Sequence, residues 1–571
     1  NRDNASLLVQ QEIHGREGNF LAGLTFRENY FDLVTGDYKS LDRYPGNWFL
    51  IKILNHADDT KDISLLPFIK KIAADRGREK EIRVRASSIS ESLEHLSSLV
   101  TEKDDRKRFS HKLLSDSRQP QTTQILRLLR DNSDDSRAVG IMLIGKFRIK
   151  DMVQEVCECL EIPKLRTQAK NVLRRFGSDA SDQLQRYYMV SSGNTETSIA
   201  ILRILAEDGS SDNLMFLFSR LWSNSRQVKE VALKLLADSN FKSPDQERDH
   251  IHQLISDVIG IITWDLSAKI SLKKITDKRL LQTLNKDIAR WNLFLFNLLS
   301  ITYDSGSISR IRENLSGGTV ESVNYALEMI DIVIDESIKP KIIPLLDAIP
   351  DEIKVKNLSH FYPCEIPDYL KLIDEILNRD YNLLGVWIRA CALRNITYVE
   401  SGILAQSVIA LLFSPEQILQ DESAKLIARS GDGIYSSVSG RIDGKLKDRI
   451  IMFMNNEIPA EEMLYEKVRF LSDLFTGADE DHLLFLASSV KYLKVLENNA
   501  LPFAGGFILW TIPAGSEAVI VSDQTEAGVK INGMMNDKGF YLLPLSAVED
   551  FHYQYPEQSS MILNYIGNIE H

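Results

Sequence analysis

The residues of this 571-residue chain whose types and spacing could support chemistry are four cysteines, ten histidines and two acid-bearing or glycine-bounded loops. Cys157 and Cys159 are separated by one residue, with no second Cys or His pair at zinc-finger distance. His250 and His252 are likewise two apart on a helical segment and point away from each other, so neither pair builds a tetrahedral site. Residues 131–135 (DNSDD) begin like a calcium loop, but Ser136 stands where the turn needs glycine and Met142 where a bidentate glutamate belongs. A helix N-terminal cap is expected there. Residues 440–445 (GRIDGK) hold three residues between the glycines and are followed by Leu446, so the phosphate cradle and magnesium hydroxyl of a P-loop are absent and a turn is expected. No Gly-x-Ser-x-Gly elbow occurs. The sequence therefore assigns no catalytic, cofactor-binding or metal-ligating residue and implies no cofactor. Trp264, Trp291, Trp387 and Cys391 lie on apolar faces and are expected to pack in the core.

The elements that would have to position any site are helical. Hydrophobic residues at 44% and only 16 prolines fit an ordered chain, too long for one ordinary core. A net charge of −12 repels phosphate backbones, which argues against nucleic acid as partner. The densest basic stretch, residues 70–85, contains Asp75, Glu79 and Glu81 and reads as the solvated side of a helix. The cysteines are too few and scattered for a disulfide framework, which points to a reducing, cytoplasmic setting. No apolar run reaches the roughly 18 residues of a spanning helix, so membrane insertion of this chain is not expected. The chain opens on Asn1, which leaves room for a preceding segment.

Repetition is clearest between residues 135 and 240. The pairs Val139/Leu143, Ala169/Leu173, Ala200/Ile204 and Ala232/Leu236 step by 30, 31 and 32 residues. Each places a small or β-branched residue one turn before a large aliphatic one, which lets a neighbouring helix approach closely. Between them lie further apolar-periodic segments at 152–160, 182–190 and 213–222. Two helices per ~30 residues is a helical-hairpin repeat. The pattern resumes with more divergence at 323–334, 386–396 and 403–413, while 252–266 and 291–301 are long apolar helices expected to form a buried central layer. One continuous superhelix without strand is expected from about 120 to 455.

Residues 289–304, 323–331, 339–347 and 387–393 (ARWNLFLFNLLSITYD, VNYALEMID, KPKIIPLLD, WIRACAL) resemble the HEAT-repeat region fused to nucleotide-translocase-like or major-facilitator-like membrane transporters of bacteria. In those fusions a cyclic-nucleotide-binding domain follows. Residues 461–488 are similar to that domain's helical lead-in, and YLKVLENNALPF, FILWTIP, EAVIVS, VKING and GFYLLPL read as short strands before closing helices at 550–569. The resemblance implies a degenerate domain. No arginine occurs from Phe470 to the end of the chain, so the bidentate phosphate clamp is missing, and Lys530 and Lys538 offer only point charges.

The expected fold is mainly α: a HEAT-like α-solenoid with a small C-terminal α+β domain, a partial β-roll. The expected divisions are 1–47 as an N-terminal extension or connector, 48–456 as the solenoid and 457–571 as the degenerate cyclic-nucleotide-binding-like domain. The leading function is a non-enzymatic scaffold or regulatory module that binds a protein partner. By the resemblance, the chain is the cytosolic part of, or a partner to, a membrane transporter, and the setting is the cytoplasm at the cytosolic face of the inner membrane. Two alternatives stand beside it: a ligand sensor whose C-terminal domain binds a nucleotide-like molecule, and an enzyme with a dispersed active site.

Overall fold

The computed structural model describes residues 20–36, 38, 47–101, 106–191, 193–273, 278–397, 403–430, 432–494, 506–512, 518–521 and 539–570. They divide into two compact units. Unit 1 is Asn1–Ser210 with Leu474–Ala478 and Ser489–His571, and unit 2 is Ser211–Asp473 with Asp479–Ser488.

In unit 1, helices Asp134–Phe147, Pro163–Phe176 and Thr195–Asp208 pack each against the next. Val139, Ala169 and Ala200, the small residues of the sequence register, are at most 4% exposed at these contacts. A second layer runs alongside, with Val153–Glu158 packed on Ser181–Val190. Polar side chains tie equivalent positions of successive repeats. Lys150 reaches Asp179 and Arg85 reaches Asn55 across 29 and 30 residues, and Arg166 and Arg174 reach Glu196 and Glu207 across 30 and 33. The interval between partners is the repeat length itself. Local signals end the helices: Asn194 accepts the Thr197 amide at the start of Thr195–Asp208, and Gly209 closes it at φ 63°. Gly145 cannot be enlarged, since a Cβ there would meet the Phe31 ring and the Val172 methyl at 2.8 Å. Ala200→Leu is expected to overpack this layer and cost about 1–3 kcal/mol, read as a lowered melting temperature; an unchanged melt would show that Ala200 does not face a neighbouring helix.

The segment expected as connector is helical. Phe20–Thr35 forms a helix with Leu21, Leu24, Phe31, Leu33 and Val34 buried, and its Thr25 and Asn29 bond back to carbonyls one turn earlier. It packs against several helices at once, including Asp134–Phe147 and Pro163–Phe176. Its apolar residues therefore surround it instead of forming a stripe, and the helical period is hidden. The basic stretch 70–85 also differs from one helix face: it spans the end of Leu66–Ala74, a turn, and the start of Lys80–Leu99.

Unit 2 is built on two 25-residue helices, Arg248–Leu272 and Lys278–Thr302, packed along each other. Ile251, Ile255, Val258, Ile259 and Ile262 of the first are buried at helical spacing. Here cross-contacts fall near twice the repeat length: Arg226 to Asp287 spans 61 residues and Arg290 to Glu230 spans 60. Long helices stretch the interval, which is why no 30-residue register could be read there. The expected run from 120 to 455 contains no strand among the described residues; its residues up to Ser210 belong to unit 1 and those from Ser211 to unit 2.

The C-terminal strands are β1 (Lys491–Leu493), β2 (Phe507–Thr511), β3 (Ala518–Val521) and β4 (Phe540–Pro544). They form an antiparallel sheet in the order β1-β4-β2-β3. VKING, residues 529–533, lies outside the described residues. Phe507, Leu509, Val521, Phe540 and Leu542 form one apolar cluster, and Trp510 donates from Nε1 to Tyr565 Oη at 2.9 Å. Helices Leu545–Gln554 and Pro556–Glu570 follow and pack on the sheet. The fold is thus mainly α, HEAT-like helix pairs with a small α+β element near the C-terminus. The unit borders do not coincide with 47/48 or 456/457. The sheet belongs to unit 1, whereas most of Leu464–Leu474 and Glu480–Ser489, the expected lead-in of the same domain, belongs to unit 2. No described helix is long and apolar enough to cross a membrane.

Candidate functional site

The residues singled out by type do not converge. Cys157 and Cys159 are buried, and burial pushes their thiols up to about 12 and about 11, so neither is a ready nucleophile. His250 pairs with Glu247 and His252 with Asp335, and no metal-holding group of His, Cys, Asp and Glu occurs among the described residues. Asp131 accepts the Ser133 amide at 2.8 Å just before helix Asp134–Phe147. Asp443 caps Gly444–Met454 by accepting the Leu446 amide at 2.8 Å. Trp291, Trp387 and Cys391 are buried as expected, while Trp264 is half-buried, donates to Glu375 at 3.0 Å and lies under the Arg379 guanidinium.

Two polar clusters appear instead. In unit 1, Tyr30 Oη donates to Asp62 Oδ2 at 2.6 Å, the Ser64 hydroxyl and amide both donate to Asp62 Oδ1, and His111 Nδ1 lies 3.1 Å from the same oxygen. Burial alone would raise the Asp62 carboxyl, but His111, Ser64 and Tyr30 together hold it down at about 2. The residue types are those of a nucleophile, base and acid, yet the geometry is not. A catalytic imidazole uses one nitrogen for the acid and the other for the nucleophile. Here Nδ1 serves both, at 3.1 Å from Asp62 and 3.5 Å from Ser64, and Ser64 is fully buried. The cluster is a clamp that joins Phe20–Thr35, the turn at 62–65 and Arg106–Ser115.

In unit 2, Arg226 binds Glu230 at 2.9 Å, Asp287 at 2.6 Å and the Leu383 carbonyl at 2.9 Å, and its guanidinium lies 4.7 Å from the Trp291 ring centre. Arg290 bridges Glu230 at 2.6 Å and Asp479 at 2.9 Å. Asp481 accepts the Trp387 amide at 2.8 Å and so caps helix Val386–Arg394. Burial and the neighbouring Asp479 push Asp481 up to about 6. Asp265 is fully buried with both carboxyl oxygens unpartnered among the described residues, and burial together with Asp287 raises it well above the carboxylate range. These groups hold helices together through one another, as an internal frame.

The side chains that engage another segment lie on one face of unit 1. Helix Leu545–Gln554 buries Val548 and Phe551 and turns its polar side toward the repeats. Glu549 accepts from Arg27 at 2.7 Å, His552 Nε2 lies 2.9 Å from Glu28, and Gln554 donates to Glu196 at 2.8 Å. Arg203 donates to the Gln554 carbonyl at 3.4 Å. Helices Phe20–Thr35 and Thr195–Asp208 thus form a face that holds a helix by charge and hydrogen bonds. Between Arg166 and Arg174, on the helix packed beside Thr195–Asp208, stands Lys170, half-buried. The spacing of 166, 170 and 174 was visible in the sequence. The engagement by residues 549–554, more than 300 positions away, had no sequence signal.

No family model and no curated protein matches the chain. Among solved structures it is similar to Kap121p in the crystal structure of Kap121p bound to Nup53p, at 10% identity and a TM-score of 0.27. The match covers 94% of this chain and 64% of that one, so this chain spans less than two thirds of the other's length.

Proposed function

We propose that the protein is a non-enzymatic scaffold that binds a protein partner through its helical repeats. The observation that carries this reading is the face of unit 1 that already holds a helix, the chain's own Leu545–Gln554, through Arg27, Glu28, Glu196 and Arg203. Extended repeat surfaces recognise helices in this way, by ridges of side chains from successive repeats. The sequence resemblance makes a membrane transporter the partner class to test first, with this chain at the cytosolic side. The alternative of a nucleotide sensor finds less support, because no arginine lies in or after the sheet to meet a phosphate.

The test is crosslinking of the full chain in its source cells, followed by pairwise binding with the purified partner. A protein recovered in near-stoichiometric amount is expected; where its helix takes the place of Leu545–Gln554 on this face, affinity should be at least tenfold weaker for a charge reversal at Arg27 or Arg203. Recovery of no partner, together with turnover of a small-molecule substrate, would replace the scaffold reading with an enzymatic one.

A further inference from the structure

We infer that helix Leu545–Gln554 is a built-in stand-in for a partner helix: it fills the face of unit 1 formed by Phe20–Thr35 and Thr195–Asp208, and a partner helix of the same polar pattern replaces it there. The inference rests on the reading of that face as the partner-binding surface. Four groups of the face set the pattern. Arg27 and Glu28 are sequence neighbours of opposite charge, and they meet Glu549 at 2.7 Å and His552 at 2.9 Å, an acid and an N–H donor one turn apart on the held helix. Glu196 and Arg203 stand at i and i+7, two turns apart on one side of their helix, and both engage Gln554. The Gln554 side-chain amide donates to Glu196 at 2.8 Å, and its carbonyl accepts from Arg203 at 3.4 Å. Gln554 is the last residue of its helix, where carbonyls lack intrahelical donors and the helix dipole favours a cation. The face therefore reads direction as well as charge. A helix laid the other way would set its donor against Arg27, its acid against Glu28 and its N-terminal amides against Arg203.

Two features make the held helix exchangeable. First, it belongs to a body with its own core: Val548 and Phe551 are fully buried, and the helix packs on β2, β4 and Pro556–Glu570. Toward the repeats its ion pairs are part-exposed, 46% for Arg27, 22% for Glu549 and 41% for Glu28. Pairs of this kind hold weakly and are screened by salt. Second, several interface groups keep a partner on their own side when the helix leaves. Glu196 holds Arg166 at 2.7 Å through its other oxygen, His552 Nδ1 lies 2.8 Å from Ser559 Oγ, and Glu549 accepts from Tyr553 at 3.4 Å. Arg27 and Glu28 are open to water, so separation strands none of these groups in a dry site. Arg203, half-buried, is the group that a replacement helix must serve with its C-terminal carbonyls.

Fluorescence anisotropy on the full chain, with a labelled, hydrocarbon-stapled peptide of residues 545–554, tests this. The wild-type chain should bind the peptide weakly, because the face is filled. Glu549→Arg sets two arginines against each other and leaves the face itself unaltered, so the native peptide should bind at least tenfold tighter. Arg27→Glu alone should prefer a peptide carrying Glu549→Arg over the native one by at least tenfold. Arg27→Glu with Glu549→Arg restores the pair in reverse, closes the face again and should bind neither peptide tightly. The inference is overturned if no chain shows saturable binding, or if wild type binds the native peptide as tightly as Glu549→Arg does. It is also overturned if the double swap binds the reversed peptide as tightly as Arg27→Glu does, which would mean a loosened fold instead of a vacated face. The scaffold reading fails separately, by the absence of a cellular partner, since here the peptide supplies the helix.

Discussion

Arg226→Met is expected to destabilise unit 2 by about 3–5 kcal/mol, the range for removing one partner of a buried ion pair. The arginine is 7% exposed and satisfies Glu230, Asp287 and the Leu383 carbonyl at once. Methionine fills much of the space but leaves Asp287 and a carbonyl without their donor, while Glu230 keeps only Arg290. Asp287 already has one oxygen, Oδ2, without a partner among the described residues. Asp265→Asn should do the opposite. The Asp265 carboxyl is raised in the fold by burial and by Asp287, so above the unfolded value the folded chain holds this proton more tightly than the unfolded chain does. That costs stability increasingly as pH rises from about 4, the unfolded value, toward the raised folded value. Asparagine removes the cost, so the variant should be at least as stable as wild type at pH 7 and show no advantage near pH 3. Denaturation at both pH values, with hydrogen exchange to locate the change in unit 2, reads both variants. Destabilisation by Asp265→Asn at pH 7 would mean that the carboxylate is charged and paired in the fold.

Why some of this was legible in the sequence and some was not follows from where the information sits. Ala169 and Ala200 announced close helix contacts because a small residue one turn before a large one is a local signal, and both are buried where that signal placed them. Asp443 was legible as a turn residue because a cap acts within one turn. The Phe20–Thr35 helix was hidden since Gly23, Thr25 and Asn29 interrupt a segment that is apolar on several sides. Residues 457–571 look like one domain because they are contiguous, yet Asp479 and Asp481 are bound by Arg290 and by the amide of Trp387 in unit 2. Gly385 shows how tightly: a Cβ there would lie 1.7 Å from Asp481 Oδ2. Such a partnership depends on two positions nearly a hundred residues apart, and neither carries it alone.

Asp62→Asn is expected to cost unit 1 about 2–3 kcal/mol at pH 7 and to flatten its acid limb. Burial opposes the charged form of Asp62, but donors from His111, Ser64 and Tyr30 outweigh it and hold the folded value at about 2, against about 3.9 for a free aspartate. A carboxyl depressed by that much contributes on the order of 2–3 kcal/mol. With the folded value below the unfolded one, this stability is fully present above about pH 4 and is lost as pH falls through the folded value near 2. Asparagine keeps the shape but has one acceptor oxygen where the carboxylate has two, so its amide nitrogen must face a hydroxyl or an imidazole that is itself a donor. Tyr30 Oη, at 2.6 Å from Oδ2 and 2.6 Å from the Ser64 hydroxyl, is the donor most exposed to that loss, and Tyr30→Phe should remove its bond to the carboxylate, about 1.5–3 kcal/mol for a charged acceptor, together with the contact to Ser64. Urea denaturation from pH 7 to pH 2 checks the pair. Wild type and Tyr30→Phe should weaken steadily below pH 4, whereas Asp62→Asn should start lower and change less. A parallel decline in all three would show that Asp62 does not carry the acid sensitivity of the clamp.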